Sequence, residues 1–213
     1  MPLDIKQRVS DFLHQARCHE SFEIPLFPLK TVLFPGGKLS LKIFEPRYME
    51  MVSACLRDKK PFGVCLIRDG EETGKPAPHA DTGCAAEITD WGMQQGVLNI
   101  QALGLQRFHI EDVRIEPNGL IVARAAHIAS EPPQPLPAGH KACATLLRRL
   151  IEHLGVERFM PPLNYDDAVW VSYRLAELLP LKLSVRQNML EMNDSKVRIE
   201  ILHSFLAQQG LLA

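Results

Sequence analysis

The chain has 213 residues, of which 46% are hydrophobic and 23% are charged, and its formal net charge is −1. This much apolar surface can offset the entropy of ordering, so the composition excludes a disordered chain. A charge so close to zero gives no whole-chain attraction to nucleic acid or to an anionic membrane. No segment approaches the roughly 18 consecutive apolar residues of a membrane span, so no membrane partner is expected.

The first segment, residues 1–21, is predicted to form an amphipathic helix. Asp4 is placed to cap it, and one face carries the apolar residues Ile5, Val9, Phe12, Leu13 and Ala16. This helix packs either on its own body or on a partner chain. Charged residues interrupt the segment, which is therefore unlike a signal peptide, and the protein is predicted to be cytoplasmic. Five cysteines without a C-x-x-C pair favour reduced, buried thiols.

Residues 22–130 carry mostly the patterns of β-strands. Leucine and isoleucine alternate with polar residues in 38–43, and a continuous apolar run follows in 62–67. Further strands are predicted for 84–91, 98–103 and 107–113, with glycine-containing turns between them. Asn118-Gly119 predicts a tight hairpin that joins two antiparallel strands. Several short strands of this kind indicate a small barrel or sandwich.

One predicted helix interrupts the strands. Pro46 lies in its first turn, where proline is well tolerated. Its apolar residues, Tyr48, Met51, Val52, Cys55 and Leu56, fall on one face. We expect this helix to close an open end of the sheet.

Four prolines in residues 131–139 predict an extended connector. Residues 140–213 then predict a bundle of four helices. The first ends at Gly155, and the second begins at Asp166 or Asp167. The third begins at Ser184, with Gln187 completing a capping box. The fourth begins at Asp194 and is expected to bury Val197, Ile201 and Phe205.

Common catalytic motifs are absent from the sequence. It contains no phosphate-binding G-x-x-x-x-G-K-[ST] loop, no H-E-x-x-H, no G-x-S-x-G and no G-x-G-x-x-G. His79, Asp81 and Cys84 are close in sequence, but they lie in a loop rich in proline and glycine with no second ligand cluster. The sequence therefore predicts neither a metal site nor a cofactor.

Two large apolar residues stand out as binding candidates. Trp91 and Met93 flank Gly92 at the end of a predicted strand, where both side chains could be exposed. Flat aromatic and adaptable methionine side chains suit the binding of varied apolar partners. Tyr48 and Met51 of the inserted helix complete the candidate set. The alternative is that Trp91 closes the end of the barrel as part of the core.

Three separated segments together resemble a known family. Residues 24–48, IPLFPLKTVLFPGGKLSLKIFEPRY, are similar to the opening of the Lon protease N-terminal domain, also called the Lon substrate-binding domain. Residues 104–110, GLQRFHI, resemble a strand motif of that domain, and residues 178–202 resemble its helical end. The resemblance runs from about residue 23 to residue 205.

The resemblance implies an α+β fold with a PUA-like β-barrel lobe, an inserted helix and a C-terminal helical bundle. The chain lacks the P-loop and the Ser–Lys protease segment of a full Lon protease. We therefore expect a non-catalytic recognition module for unfolded or apolar protein segments. A full-length protease or a second copy of the chain is a further partner to consider. The alternative is an RNA-binding PUA-like protein, which the near-neutral charge disfavours.

Overall fold

A computed structural model describes residues 21–74 and 77–212, so the predicted N-terminal helix lies almost wholly outside the described residues. Within them lie six strands and five α-helices: β1 Phe22–Leu29, β2 Lys38–Ile43, α1 Pro46–Asp58, β3 Phe62–Leu66, β4 Thr82–Gln94, β5 Val97–Ile115, β6 Ile121–His127, α2 Lys141–Leu154, α3 Ala168–Leu178, α4 Leu183–Glu191 and α5 Ser195–Gln208. None of these helices has the length and apolar character needed to cross a membrane.

The strands form one sheet in the order β2-β5-β4-β3-β1-β6, and β5 also pairs with β6. Hydrogen bonding therefore runs from β5 through β4, β3, β1 and β6 back to β5. Strand β2 lies outside this circuit and pairs antiparallel with the first half of β5. The predicted hairpin at Asn118-Gly119 is confirmed, because β5 and β6 pair antiparallel across it and Gly119 has a φ of +84°.

Strand β5 is a single strand of 19 residues, although the sequence predicts two strands separated at Gly104. A Cβ at Gly104 would lie 2.2 Å from the carbonyl oxygen of Phe34. The amide of Gly36 donates to the Gly104 carbonyl oxygen at 2.7 Å. This glycine allows another segment to approach the strand closely and does not form a turn.

Helix α1 packs its apolar face against the sheet. Pro46 occupies its first turn, and its buried face joins a cluster that includes Phe27, Ile43, Tyr48, Met51, Val52, Leu98 and Ile100. The C-terminal helices share a second core, which includes Leu147, Ile151, Val171, Leu175, Met189, Leu202 and Leu206.

The proline-rich segment is extended but is held along its length. Leu136 donates its amide to the carbonyl oxygen of Asp166, and Ala168 donates to that of Gln134. The Asp167 carboxylate caps α3 through the amide of Val169 and also accepts from the amide of Gln134 at 3.0 Å. The segment is therefore fixed against the start of α3.

The buried face of α5 differs from the prediction. Asp194 caps the helix as predicted, but Val197 and Ile201 are exposed, whereas Arg198 is fully buried. The predicted capping box of α4 is also wrong. The helix begins at Leu183 without a side-chain cap, and Gln187 instead donates to the carbonyl oxygen of Thr82 on β4.

Arg107 of β5 connects the sheet to the C-terminal helices. Its guanidinium is buried and donates to the carbonyl oxygens of Leu190, Met192 and Ala129 and to the Asn193 side chain, at 2.8 to 3.3 Å. These bonds satisfy a charge that would be costly to bury unpartnered. The sheet and the helices therefore pack as one body.

Candidate functional site

The end of β4 and the start of β5 form a hairpin whose β4 half is exposed. The turn consists of Gln95 and Gly96, whose φ angles of +52° and +79° suit a tight two-residue connection. Before the turn, a register shift between Ile88 and Asp90 interrupts the pairing with β5. Bulges of this kind bend a strand and increase its twist. The first residues of β4 are buried, and those after the bulge are exposed.

Trp91 and Met93 lie on this hairpin and are 57% and 58% exposed. Of the two positions that the sequence left open for Trp91, an exposed strand end and the core, the structure shows the exposed one. The turn lies at Gln95-Gly96 and not at Gly92. Together the two side chains form an exposed apolar patch on one face of the strand, which makes the hairpin a candidate binding surface.

The strand register places both side chains in apolar rows that cross the sheet. Directly paired residues of antiparallel strands share a face. Trp91 is paired with Ile100, which is paired with Leu41. The second row has the same form, with Met93 opposite Leu98 and Leu98 opposite Ile43. The rows are buried on β5 and become exposed on β4.

The hairpin has almost no charge. Residues 90–101 contain a single charged residue, Asp90, and four side-chain amides. Asp90 accepts a hydrogen bond from the Trp91 amide at 2.9 Å. A hollow of about 250 Å³ is lined by Asp90–Gln94 and Asn99–Gln101. This surface offers apolar area and amide hydrogen bonds, which suit polypeptide better than phosphate.

The other two predicted site residues do not join this surface. Tyr48 and Met51 are only 6% and 2% exposed. The Tyr48 ring stacks on Phe27, with ring centroids 4.0 Å apart. Burial raises the pKa of the Tyr48 hydroxyl. The helical periodicity that placed them together marks the core face of α1, so neither is available as an exposed contact.

Phe44 is an exposed aromatic residue outside the predicted set of site residues. It follows β2 directly and is 63% exposed. Leu39, Leu41 and Ile43 alternate on the inner face of β2, so the same alternation directs Phe44 outward. The alternating apolar residues of β2 therefore predict that Phe44 is exposed.

The four cysteines of the described residues are not activated as nucleophiles. Burial raises the pKa of Cys55 to about 11, that of Cys143 to about 11 and that of Cys84 to about 12. It raises the pKa of Cys65 further. A nucleophilic cysteine needs the opposite shift. The part of the chain that the structure describes also contains no group of three His, Cys, Asp or Glu side chains placed to hold a metal.

Comparison with known proteins matches most of the chain to Lon proteins and about half of it to cereblon. The family model of the ATP-dependent protease La (LON) substrate-binding domain matches residues 23–208. Lon protease of Escherichia coli K12 is 25% identical over 202 residues, which are 89% of this chain and 25% of that protein. Protein cereblon of Xenopus tropicalis is 29% identical over 109 residues, covering 48% of this chain and 23% of cereblon. The chain thus spans about a quarter of the length of these curated relatives.

A solved structure agrees with the sequence matches. The Lon N-terminal domain protein of Xanthomonas campestris is 35% identical, with a TM-score of 0.73, and the match covers 86% of this chain and 98% of that one. These matches are to the N-terminal substrate-binding domain and not to a catalytic domain. The chain belongs to the family of the Lon substrate-binding domain.

Proposed function

We propose that the protein is a non-catalytic recognition module that binds unfolded or apolar polypeptide segments in the cytoplasm. The observation that carries the proposal is the pair of exposed side chains, Trp91 and Met93, on an almost uncharged hairpin. Membership of a substrate-binding domain family supports a role in binding protein substrates. In this proposal the hydrogen-bonded circuit is a PUA-like β-barrel and α2–α5 form a helical bundle.

Several exposed arginines and lysines do not form the basic surface that RNA binding requires. Arg57, Arg68, Arg114, Arg124 and Lys30 each lie within 4.0 Å of a carboxylate. Phosphate contacts need clustered cations without such partners. RNA is therefore the less favoured ligand.

Cleavage of a bound segment would be carried out by another protein. In this proposal the module holds an extended, apolar segment, and a full-length protease supplies the catalytic groups. The weak affinity expected of such a module, micromolar or weaker, would allow the segment to be released.

The test is a titration of a fluorescently labelled, permanently unfolded polypeptide rich in Leu, Val and Phe. Trp91→Ala and Met93→Ser should each weaken binding about tenfold, because large apolar anchors carry most of the energy of such contacts. Ile115→Ser removes an exposed apolar side chain at the other end of β5 and should leave binding unchanged.

Thermal unfolding separates binding from stability in this test. Exposed substitutions away from special features change stability by about 0.5 kcal/mol or less. All three variants should therefore melt close to the unmodified protein. Unchanged binding by both hairpin variants would show that the hairpin is not the site.

A further inference from the structure

Strand β2 has a side that no strand occupies in the described part of the chain. It pairs only with β5, and its opposite side is here called the β2 edge. In an antiparallel strand, the amide and carbonyl groups of every second residue point away from the partner. No backbone or side-chain hydrogen bond within residues 21–74 and 77–212 reaches the backbone of residues 39–43 from that side.

A hollow of about 270 Å³ follows this edge. Six consecutive residues, 40–45, line it together with Phe27 and Leu29 of β1 and with Tyr48 of α1. Side chains of consecutive strand residues point to opposite faces, so a hollow lined by all six lies along the backbone edge. Apolar side chains form its far wall, and exposed Phe44 lies at its end.

We propose that the β2 edge binds an extended polypeptide by strand addition, and that the preferred segment alternates apolar and acidic residues. An added strand would form main-chain hydrogen bonds with the unpaired groups of β2. Its inward side chains would extend the face of Leu39, Leu41 and Ile43. Its outward side chains would lie beside Lys42. The inference rests on the proposed function in one respect: the ligand is an extended polypeptide.

The charges around the edge favour an acidic ligand. Lys42 is exposed, and no carboxylate of the described residues lies within 4.0 Å of it. Two carboxylates also line the hollow: Glu45 is neutralised by Arg47 at 2.8 Å, whereas Glu72 accepts only from the neutral Lys30 amide. The acidic preference therefore concerns the outward side chains beside Lys42 and not those that enter the hollow. Opposite charges directly across neighbouring strands stabilise their pairing.

A second copy of the chain fits this edge less well. Two β2 strands side by side would bring the outward lysines of both copies, Lys38 and Lys42, onto one face. Like charges across neighbouring strands destabilise pairing, and edge lysines are a common protection against it. The edge therefore disfavours its own copy and remains open to an acidic strand.

The first experiment measures how the full chain binds two blocked seven-residue peptides, one alternating Val with Glu and one alternating Val with Lys. The unmodified protein should prefer the Glu peptide, and Lys42→Glu should weaken binding of that peptide about fivefold and reverse the preference. Lys182→Glu, an exposed lysine before α4, should change neither affinity.

The second experiment tests the main-chain contacts. In a strand added to an edge, the amides of alternate residues face the protein, and the others face solvent. Methylating the nitrogens of one alternate set of the Glu peptide should weaken binding about tenfold or more, and methylating the other set should have little effect. Equal effects of the two modifications would overturn strand addition.

Failure of this inference and failure of the proposed function give different results. If the Glu peptide does not bind but the unfolded polypeptide still binds through Trp91, the β2 edge is not a site and the proposed function stands. If neither ligand binds, both are wrong. A dimer of the protein that forms through the β2 edge and that the Glu peptide cannot dissociate would place a second copy on the edge and overturn the inference.

Discussion

Arg198 is a charged residue that the fold places in the core of the C-terminal helices. Its guanidinium lies 4.0 Å from the Tyr173 ring centroid and donates to Ser172 and to the Met192 carbonyl oxygen. It also forms a 2.8 Å ion pair with Glu131, whose side chain is 8% exposed. Removing one partner from a buried pair leaves the other charge uncompensated.

Glu131→Gln should therefore lower the free energy of unfolding by about 3 kcal/mol, measured by chemical denaturation. Asp81→Asn is the matched control, because the Asp81–Arg68 pair has a similar length of 2.9 Å but both side chains are exposed. That control should cost less than about 1 kcal/mol. Equal losses of unfolding free energy for the two variants would show that burial of the Arg198 ion pair does not increase its contribution to stability.

The buried thiols give a second prediction at the residue scale. A pKa of about 11 at Cys55, against an ordinary value of 9, keeps the thiolate fraction at pH 8 about a hundredfold lower. Cys55 and Cys84 should therefore resist iodoacetamide in the folded protein and react on denaturation. Peptide mass spectrometry reports each cysteine separately. Rapid labelling of either thiol under native conditions would contradict their burial.

Individual elements show where sequence patterns succeed and where they fail. Helix α1 was predictable because proline at its start and a single apolar face both point to the same answer. The buried face of α5 was not predictable. Hydrophobic spacing favours Val197 and Ile201, and it cannot reveal that Arg198 is buried and paired with a carboxylate. Gly104 was read as a turn because its real role depends on Phe34, a distant segment.

At the candidate site, the sequence alone did not decide whether Trp91 is exposed or part of the core, because a strand end permits both. The structure shows Trp91 and Met93 exposed. Tyr48 and Met51 were selected as well, although their helical spacing equally described a core face, which is where the structure places them. Periodicity identifies a common face but does not say whether that face is covered.

The extended segment before α2 provides a test at the scale of the element. Asp167 both caps α3 and holds Gln134, so Asp167→Ala should release the segment and increase proteolytic cleavage within residues 131–139. Asp194→Ala removes the cap of α5 without contacting this segment. Both variants should lose about 1 kcal/mol, and only the first should be cut faster there. Equal cleavage rates would show that Asp167 does not hold the segment.

The sheet region and the C-terminal helices are joined by buried hydrogen bonds, and an apolar pair is exposed on the sheet. Arg107, Gln187 and Arg174 each cross between the sheet region and the C-terminal helices, and Arg174 donates to the Pro35 carbonyl oxygen at 2.8 Å. The hairpin with Trp91 and Met93 lies beyond these contacts. These contacts fix the sheet against the helices, and the exposed pair is carried by that sheet.

The central claim is that the protein recognises apolar polypeptide and not RNA. The most direct measurement titrates the same unfolded polypeptide, and separately single-stranded RNA, at about 50 mM and about 200 mM salt. Polypeptide binding should be micromolar or weaker and nearly independent of salt, because burial of apolar surface drives it and the net charge is −1. Tight RNA binding that falls steeply with salt, without any polypeptide signal, would contradict the account.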